Sequence, residues 1–461
     1  MQEDRGYRAT MKKNCHRFTL KLNWVTICCF FYVILLYFLS IFIWSQNRSE
    51  EFTAYKYILS INGTKLFASI VLSITMWIII SNRYYRANTF SSQVLLLISL
   101  LYFLPGVVLC GTLDFEWAYL IEYYIYFVVM ILIDKVCPYP RKSFLAFQKG
   151  SLAFLQKILI VCSFIVPLFL MIYYRSSFTL SSILLTLNDT YGVRTAAKEA
   201  NTSWMILAIE YWGAYFSCFM ITYSLRNKKR ILAIMYILFV LFYFTLQGNR
   251  IFVFFIGIAI LIGLFDFDSR TIIFGFLILM VLQIFEFFLV SDKSSIGLVT
   301  NMYRRYSIVP NIISTQYFDF FKSNSPDWLT GTFTGISNLL GIESEYGNKI
   351  GTLIGSKYYG WNMNANTGLF GGAIFEFGEL GILIDPIMFV LVLRFIEKIL
   401  FKYNVDNVEL KFITAAIYAS LAINLTTIWV GMFRLTPTLL FIFSCMAFCH
   451  GVTTNKNKIS S

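Results

Sequence analysis

The sequence predicts an all-α polytopic membrane protein with about 12 transmembrane helices. Hydrophobic residues make up 58% of the 461-residue chain and charged residues only 14%, whereas soluble domains carry about 25% charged residues. Many apolar runs approach the ~20 residues that a helix needs to cross a hydrocarbon core. Lysine and arginine concentrate in alternate polar segments. These observations exclude a soluble multidomain enzyme, a disordered chain and a disulfide-stapled secreted module.

The membrane bundle is predicted between residues 24 and 450. Two short apolar segments flank Gln247–Gly248–Asn249–Arg250, and this spacing predicts a tight hairpin rather than one long helix. The predicted spans are Trp24–Trp44, Leu66–Ser81, Val94–Gly111, Ala118–Ile133, Ile158–Tyr173, Trp204–Ser224, Ile231–Leu246, Ile251–Phe265, Thr271–Val290, Gly368–Ile396, Phe412–Val430 and Leu435–Cys449.

Lysine and arginine set the orientation of the bundle, because short cytoplasmic loops carry an excess of both. With the N-terminus inside, the basic tail 1–23, the cluster from Lys135 to Lys157 and the run from Arg226 to Arg230 are all cytoplasmic. Both terminal tails, 1–23 and 451–461, are therefore predicted in the cytoplasm. The formal charge of +13 requires no nucleic acid, since basic loops beside anionic membrane lipids account for most of it.

Two predicted outer loops, 174–203 and 291–367, are longer than a turn requires, and such loops are uncommon unless they are functional. Both contain apolar residues at helical spacing, which suits helices lying flat in the membrane interface or helices that only cap the bundle. The second loop combines aromatic rings with acids, amides and glycines. This composition suits a sugar, and it suits any exposed loop at a membrane surface. The candidate sugar-binding residues are Tyr303, Tyr306, Trp328 and Trp361.

Five arginines are predicted to gather at the outer mouth of the bundle. Two stand at hairpin tips, one lies in the first long loop, and two follow the end of a span: Arg250, Arg434, Arg194, Arg304 and Arg305. A guanidinium group is a planar fork of donors that binds phosphate oxygens bidentately and keeps its charge. At this depth the natural phosphate ligand is a lipid-linked diphosphate. The alternative is that each arginine only extends to the outer headgroups.

Acidic residues form the second group of candidates. Glu376 and Glu379 are three residues apart, which predicts that they share a helix face, as counter-ions for the arginines or as catalytic groups. Asp319 is a third candidate catalytic carboxylate. The only histidines, His16 and His450, are predicted in the cytoplasm, and no zinc, nucleotide-loop or serine-hydrolase motif occurs. We therefore expect neither a bound metal nor a cofactor, although a Mg²⁺ held by carboxylates stays open.

In pattern the chain resembles the bacterial O-antigen and capsular polysaccharide repeat-unit polymerases of the Wzy type. The similarity covers the dozen spans, the two enlarged loops and the hairpin-tip arginine in Gly248–Asn249–Arg250. It extends to the arginine-rich Tyr303–Arg304–Arg305–Tyr306 and to the glycine-rich return from Asn364 to Gly381. No short signature defines this family. Related O-antigen ligases share the layout but are expected to use an outer-face histidine, which this chain lacks.

The resemblance implies a glycosyltransferase of GT-C-like helical membrane fold in the bacterial inner membrane. It would polymerise undecaprenyl-diphosphate-linked oligosaccharides at the periplasmic face, for lipopolysaccharide O-antigen or capsule, and a chain-length regulator is an optional partner. Arg304 and Arg250 would stabilise the leaving diphosphate, and Arg305, Arg194 and Arg434 would also bind it. One of the carboxylates would take the proton from the attacking hydroxyl group of the acceptor glycan, and the candidates are Asp319, Glu376 and Glu379. The alternative is a flippase or transporter of lipid-linked oligosaccharide, which has a similar span count.

Overall fold

The chain is nearly all helical over the residues that the structure describes. A computed structural model describes residues 24–47, 49–84, 89–139, 151–174, 204–247, 251–265, 269–290, 296–330, 337, 341, 345–346, 350–360, 365–400, 408–424, 440–445 and 447–448. Within these residues the only β-type pairing is an isolated bridge between Leu59 and Leu113.

The helices are numbered in chain order over the residues that the structure describes. Those in the first half are α1 (Trp24–Phe38), α2 (Glu50–Thr53), α3 (Gly63–Arg83), α4 (Phe90–Ile98), α5 (Leu104–Thr112), α6 (Trp117–Val136), α7 (Ser151–Tyr173), α8 (Trp204–Arg226) and α9 (Arg230–Gln247). Those in the second half are α10 (Ile251–Leu264), α11 (Ser269–Leu289), α12 (Leu298–Tyr303), α13 (Val309–Phe321), α14 (Ile350–Tyr359), α15 (Leu369–Phe377), α16 (Gly381–Leu400) and α17 (Val408–Asn424).

Seven helical stretches in the described residues are long and apolar enough to cross a membrane, and large apolar side chains such as Val136 and Leu289 point outward from the bundle. The predicted class, an all-helical membrane-embedded protein, is thereby confirmed, and the count of about 12 spans stays a prediction. The seven stretches are Trp24–Gln46, Gly63–Arg83, Phe90–Thr112, Trp117–Val136, Phe154–Tyr173, Met205–Arg226 and Arg270–Leu289, and shorter apolar helices cover Arg230–Leu246, Phe252–Leu264 and Lys411–Ile423.

The stretch Phe90–Thr112 lies at the centre of the bundle. Of the 18 most apolar consecutive residues in this stretch, 94% are buried inside the protein, whereas the corresponding share for Phe154–Tyr173 is 22%. Its α4 and α5 are joined by the π-helical turn Ser99–Phe103, and similar π-turns follow α1 at Leu39–Ile43 and α12 at Arg304–Ile308. Because π-turns break the regular i→i−4 hydrogen bonding, the carbonyl groups there need other partners.

Buried side chains supply those partners. The Asn311 Nδ2 donates to the carbonyl oxygens of Ser307, at 2.7 Å, and Tyr102, at 3.1 Å, so one amide joins two π-turns. The Tyr123 hydroxyl lies 2.7 Å from Asn311 Oδ1. The Tyr32 hydroxyl donates to the Leu100 carbonyl oxygen at 2.6 Å. The turn at Arg304–Ile308 is therefore fixed to the central helix pair by hydrogen bonds.

The helix α13 is packed inside the protein, with most of its residues buried. Phe318 and Phe321 are buried, and their rings contact Tyr119, Phe370 and Phe375. The sequence offered a lipid-facing helix and a bundle cap as alternatives for this region. The packing favours the second alternative.

The predicted span Gly368–Ile396 is not one helix. It is divided into α15 and α16 by a 3₁₀ turn at Gly378–Leu380. Gly378 ends α15 with a φ of +59°, a left-handed conformation that glycine adopts without strain. Gly368 precedes α15 with a φ of +75°, and a Cβ there would lie 2.3 Å from the Ile423 carbonyl oxygen. All nine residues of α15 are buried, so this short helix is enclosed by its neighbours.

Candidate functional site

Charged side chains mark the two ends of the bundle. At one end lie Arg304 and the connections 49–62 and 113–116, which pair through the Leu59–Leu113 bridge; we call it the Arg304 end. At the other end lie Arg394 and Asp134; we call it the Arg394 end. The basic-residue pattern of the sequence predicts that the Arg304 end faces away from the cytoplasm.

Arg304 occupies the first position of its π-turn and is only 4% exposed. One terminal guanidinium nitrogen donates to Asn301 Oδ1 at 3.0 Å. The guanidinium carbon lies 5.5 Å from the ring centroid of Tyr55 and 5.9 Å from that of Phe52. At these distances the aromatic faces attract the cation. The planar fork is thus held in one orientation by an amide and two rings.

Phe52 and Tyr55 belong to the connection between α1 and α3. This segment is tied to the π-turn after α1 through Tyr57, whose ring contacts Phe52 and whose hydroxyl lies 2.7 Å from Ser40 Oγ. Lys56, next to Tyr55, has a φ of +54°, which is uncommon for a residue with a side chain. The connection therefore covers Arg304 as a constrained segment.

A polar and aromatic cluster continues from Tyr55 toward α13 and α14. The rings of Tyr55 and Tyr359 meet edge to face with centroids 5.5 Å apart. The Gln316 Nε2 donates to the Tyr359 hydroxyl at 2.6 Å, and the Tyr358 hydroxyl donates to Asp319 Oδ2 at 2.6 Å. Burial, and next the Asp319 carboxylate, raise the pKa of Tyr358 above its usual value. Tyr358 therefore stays protonated and keeps donating to Asp319 at physiological pH.

The other aromatic candidates lie in different surroundings. Tyr303 and Tyr306 are buried, and their rings stack on Trp44 and Phe254, so their faces are covered by protein. Trp328 is 54% exposed. Arg305 is half-buried beside Arg304. Four further candidates lie outside the described residues: Arg194, Arg250, Trp361 and Arg434.

The prediction that Glu376 and Glu379 share a helix face is wrong. Glu376 is 1% exposed in the last turn of α15, whereas Glu379 lies beyond Gly378 and is exposed. The left-handed Gly378 ends the helix between them, so the three-residue spacing no longer stacks the two side chains. The peptide N–H groups of Asp327 and Trp328 donate to the carbonyl oxygens of Phe375 and Glu376, each at 2.9 Å. The end of α15 is thus bonded to the segment after α13.

Two groups were not singled out from the sequence. Phe52 and Tyr55 were detectable as closely spaced aromatic residues in a short polar connection. The second group, at the Arg394 end, joins Arg83, Ser91, Asp134, Arg394 and Glu397 by buried ion pairs and hydrogen bonds. Its signal in the sequence was the occurrence of opposite charges at the same ends of neighbouring spans.

Two lysines also lie at the Arg304 end. Lys322 pairs with Glu116, and the buried Lys65 lies 3.6 Å from Asp114 Oδ1. Among the described residues no group of three or more histidine, cysteine, aspartate or glutamate side chains is arranged to hold a metal ion. The groups available at this end are therefore a fixed guanidinium, two paired ammonium groups, tyrosine hydroxyls, an amide and the Asp319 carboxylate. Such a set suits a ligand that combines negative charge with hydroxyl groups.

No protein-family model, no curated protein and no solved structure matches this chain.

Proposed function

We propose that the protein is a polysaccharide polymerase that joins lipid-diphosphate-linked oligosaccharide repeat units at the periplasmic face of the bacterial inner membrane. The observation that carries the proposal is the environment of Arg304. A guanidinium group oriented by Asn301, Phe52 and Tyr55 lies beside a cluster of tyrosines, an amide and a carboxylate in a membrane-embedded helical protein. A lipid-linked glycan offers a diphosphate and sugar hydroxyls together, and this site has partners for both.

The proposed reaction transfers the growing glycan from its lipid diphosphate to an incoming repeat unit. An acceptor hydroxyl oxygen attacks the anomeric carbon, and the bond from that carbon to the diphosphate oxygen breaks. The electron pair of that bond stays on the lipid diphosphate, where negative charge develops. Arg304, fixed before the reaction, stabilises this charge, and loss of one such donor costs about 10²–10³-fold in rate. Arg305, Arg250, Arg194 and Arg434 are proposed as further diphosphate ligands.

Asp319 is the proposed acceptor of the hydroxyl proton. It is exposed and lies next to Tyr358 on the same face of the cluster, whereas Glu376 is enclosed in the protein. A carboxylate acting as a general base contributes about 10²–10⁴-fold. Arg304 would therefore act on the diphosphate oxygen of the breaking bond, and Asp319 on the attacking hydroxyl of the forming bond.

The test uses a deletion strain that carries the gene on a plasmid. Arg304→Ala is expected to leave a lipid core capped with a single repeat unit, with normal protein in the membrane. The matched control is Arg230→Ala, which removes an exposed arginine at the Arg394 end and should give the normal ladder of chain lengths. A normal ladder from Arg304→Ala would overturn the proposed role of this residue.

The second candidate function is a flippase or transporter of the same lipid-linked oligosaccharide. The buried ionic group at the Arg394 end favours it, since ion pairs of this kind can close one side of a transporter. The deletion strain separates the two functions. Loss of a polymerase leaves one repeat unit on the core, whereas loss of a flippase leaves none.

A further inference from the structure

We propose that Tyr55, Tyr358, Tyr359 and Gln316 form a binding site for the sugar ring next to the lipid diphosphate. This inference rests on the proposed function, and it assigns the sugar contacts to residues other than those that the sequence suggested. The four residues come from three separate parts of the chain, the connection before α3, the helix α13 and the helix α14.

Exposure separates this cluster from the other aromatic groups at the Arg304 end. Tyr303 and Tyr306 have their rings stacked on protein and are nearly inaccessible. Tyr55, Tyr358 and Tyr359 are half-buried, so their rings are held in place while part of each stays accessible. A sugar has an apolar ring face and polar edges, and partly exposed tyrosines present both kinds of surface.

The polar groups of the cluster are fixed but not fully used. Gln316 donates its amide to the Tyr359 hydroxyl, while its Oε1 accepts no hydrogen bond from the described part of the chain. That oxygen is enclosed by protein, so Gln316 acts on a sugar through the Tyr359 hydroxyl, which its amide orients. The Tyr358 hydroxyl, which donates to Asp319, still has lone pairs that accept a hydrogen bond. This Tyr358 hydroxyl therefore lies directly beside Asp319, the proposed proton acceptor.

The position of the cluster relative to Arg304 indicates which sugar of the repeat unit would bind there. Tyr55 contacts the guanidinium of Arg304 and the ring of Tyr359 at the same distance, 5.5 Å. A ligand whose diphosphate is bound by Arg304 would therefore have its first sugar beside Tyr55 and Tyr359. Sugars further from the diphosphate would lie beyond the cluster, so specificity is expected mainly for the first residue of the repeat unit.

The experiment measures binding to the full-length protein in lipid nanodiscs. The probes are the repeat-unit oligosaccharide, released from its lipid carrier by mild acid, and inorganic pyrophosphate. Tyr359→Ala is expected to weaken oligosaccharide binding about tenfold, in line with the loss of one aromatic contact, and to leave pyrophosphate binding within twofold. Tyr55→Ala should weaken oligosaccharide binding as much, and because the Tyr55 ring also contacts the Arg304 guanidinium, it should weaken pyrophosphate binding as well. Tyr359→Phe keeps the ring and should lose less. Gln316→Leu should weaken oligosaccharide binding alone.

Controls separate this inference from misfolding and from the proposed function. Tyr173→Ala removes an exposed aromatic residue elsewhere and should bind both probes normally, and melting temperatures verify the fold of each variant. Oligosaccharide binding that is unchanged in Tyr55→Ala and Tyr359→Ala, or absent from the wild type, overturns the inference. The proposed function fails separately, when Arg304→Ala still produces the polymer ladder.

Discussion

Arg394 and Asp134 are 260 residues apart in the sequence, and one guanidinium nitrogen of Arg394 donates to the Asp134 Oδ1 at 2.5 Å and to its carbonyl oxygen at 2.9 Å. Asp134 is fully buried, and Arg83 donates to its other carboxylate oxygen at 2.9 Å. The ring of Tyr139 lies 3.7 Å from the Arg394 guanidinium carbon. This one carboxylate therefore joins the ends of α3 and α6 to α16.

Asp134→Asn is expected to destabilise the fold strongly. It leaves two guanidinium groups without their shared counter-ion, and breaking a buried ion pair costs about 3–5 kcal/mol. Thermal melting of the detergent-purified protein, followed by size-exclusion chromatography, measures the loss. Lys229→Ala, which removes an exposed charge at the same end, is the matched control. Equal melting temperatures for the two variants would contradict a structural role for Asp134.

Asn311 is expected to be required for the π-turn at Arg304–Ile308. Asn311→Leu has nearly the same shape but leaves the Ser307 and Tyr102 carbonyl oxygens without their donor, and each unsatisfied buried group costs about 1–3 kcal/mol. The melting temperature should fall, and polymer length should fall with it because Arg304 loses its fixed position. Thr315→Ala, on a half-buried position of the same helix, should change neither quantity. If Asn311→Leu had the same melting temperature and polymer length as Thr315→Ala, the role assigned to Asn311 would be wrong.

The sequence was sufficient for the all-helical membrane class, because that class depends on composition and on the length of apolar runs. It was not sufficient for the break at Gly378. Apolar residues continue on both sides of this glycine, and the hydrophobic pattern of the sequence does not indicate that its φ is positive. The π-turns at Leu39–Ile43 and Ser99–Phe103 were equally hidden, since their residues are as apolar as those of a regular helix.

The candidate site was predicted only in part. Arg304 was predicted as a candidate because an arginine close to the end of a span carries a free-energy cost and is therefore usually functional or paired. Its neighbours Phe52 and Tyr55 precede it by about 250 residues in the chain, so no local spacing indicates the contact. Tyr303 and Tyr306 were predicted to bind sugar because they lie in a loop that combines aromatic rings with polar residues. Burial decides whether the face of a ring can contact a ligand, and a single sequence does not reveal burial.

Three glycine substitutions should rank in a definite order. Gly368→Ala combines a positive φ with a Cβ 2.3 Å from a backbone oxygen, so we expect the largest loss of folded protein. Gly378→Ala has no neighbour closer than 3.5 Å and should cost only the strain of the left-handed conformation, about 1–2 kcal/mol. Gly257→Ala, inside α10 with open space around it, should be neutral or stabilising. Melting temperatures in detergent test the ranking, and a reversed order for Gly368 and Gly378 would contradict the described backbone.

The two glutamates of the glycine-rich return should behave differently. Glu379→Gln changes an exposed side chain beyond the end of α15, and we expect normal protein levels and a normal polymer ladder. Glu376→Gln changes a side chain that is 1% exposed, and we expect reduced melting temperature or shortened polymer. Immunoblotting and ladder analysis of the same cells distinguish the two effects. Equal phenotypes would indicate that the separation at Gly378 has no functional consequence.

Arg304→Lys tests whether shape or charge matters at the proposed diphosphate site. Lysine keeps the positive charge but offers a compact ammonium group instead of a planar fork, so it cannot bind two oxygens bidentately. It also loses part of the attraction to the faces of Phe52 and Tyr55 and the fixed orientation given by Asn301. We therefore expect polymerisation to fall at least tenfold, because each 1.36 kcal/mol lost from transition-state stabilisation is a tenfold loss of rate. The measurement is the rate of ladder formation after induction in the deletion strain, with Arg230→Lys as the matched control. If Arg304→Lys polymerises at the wild-type rate, charge alone is sufficient and bidentate binding of the diphosphate by Arg304 is wrong.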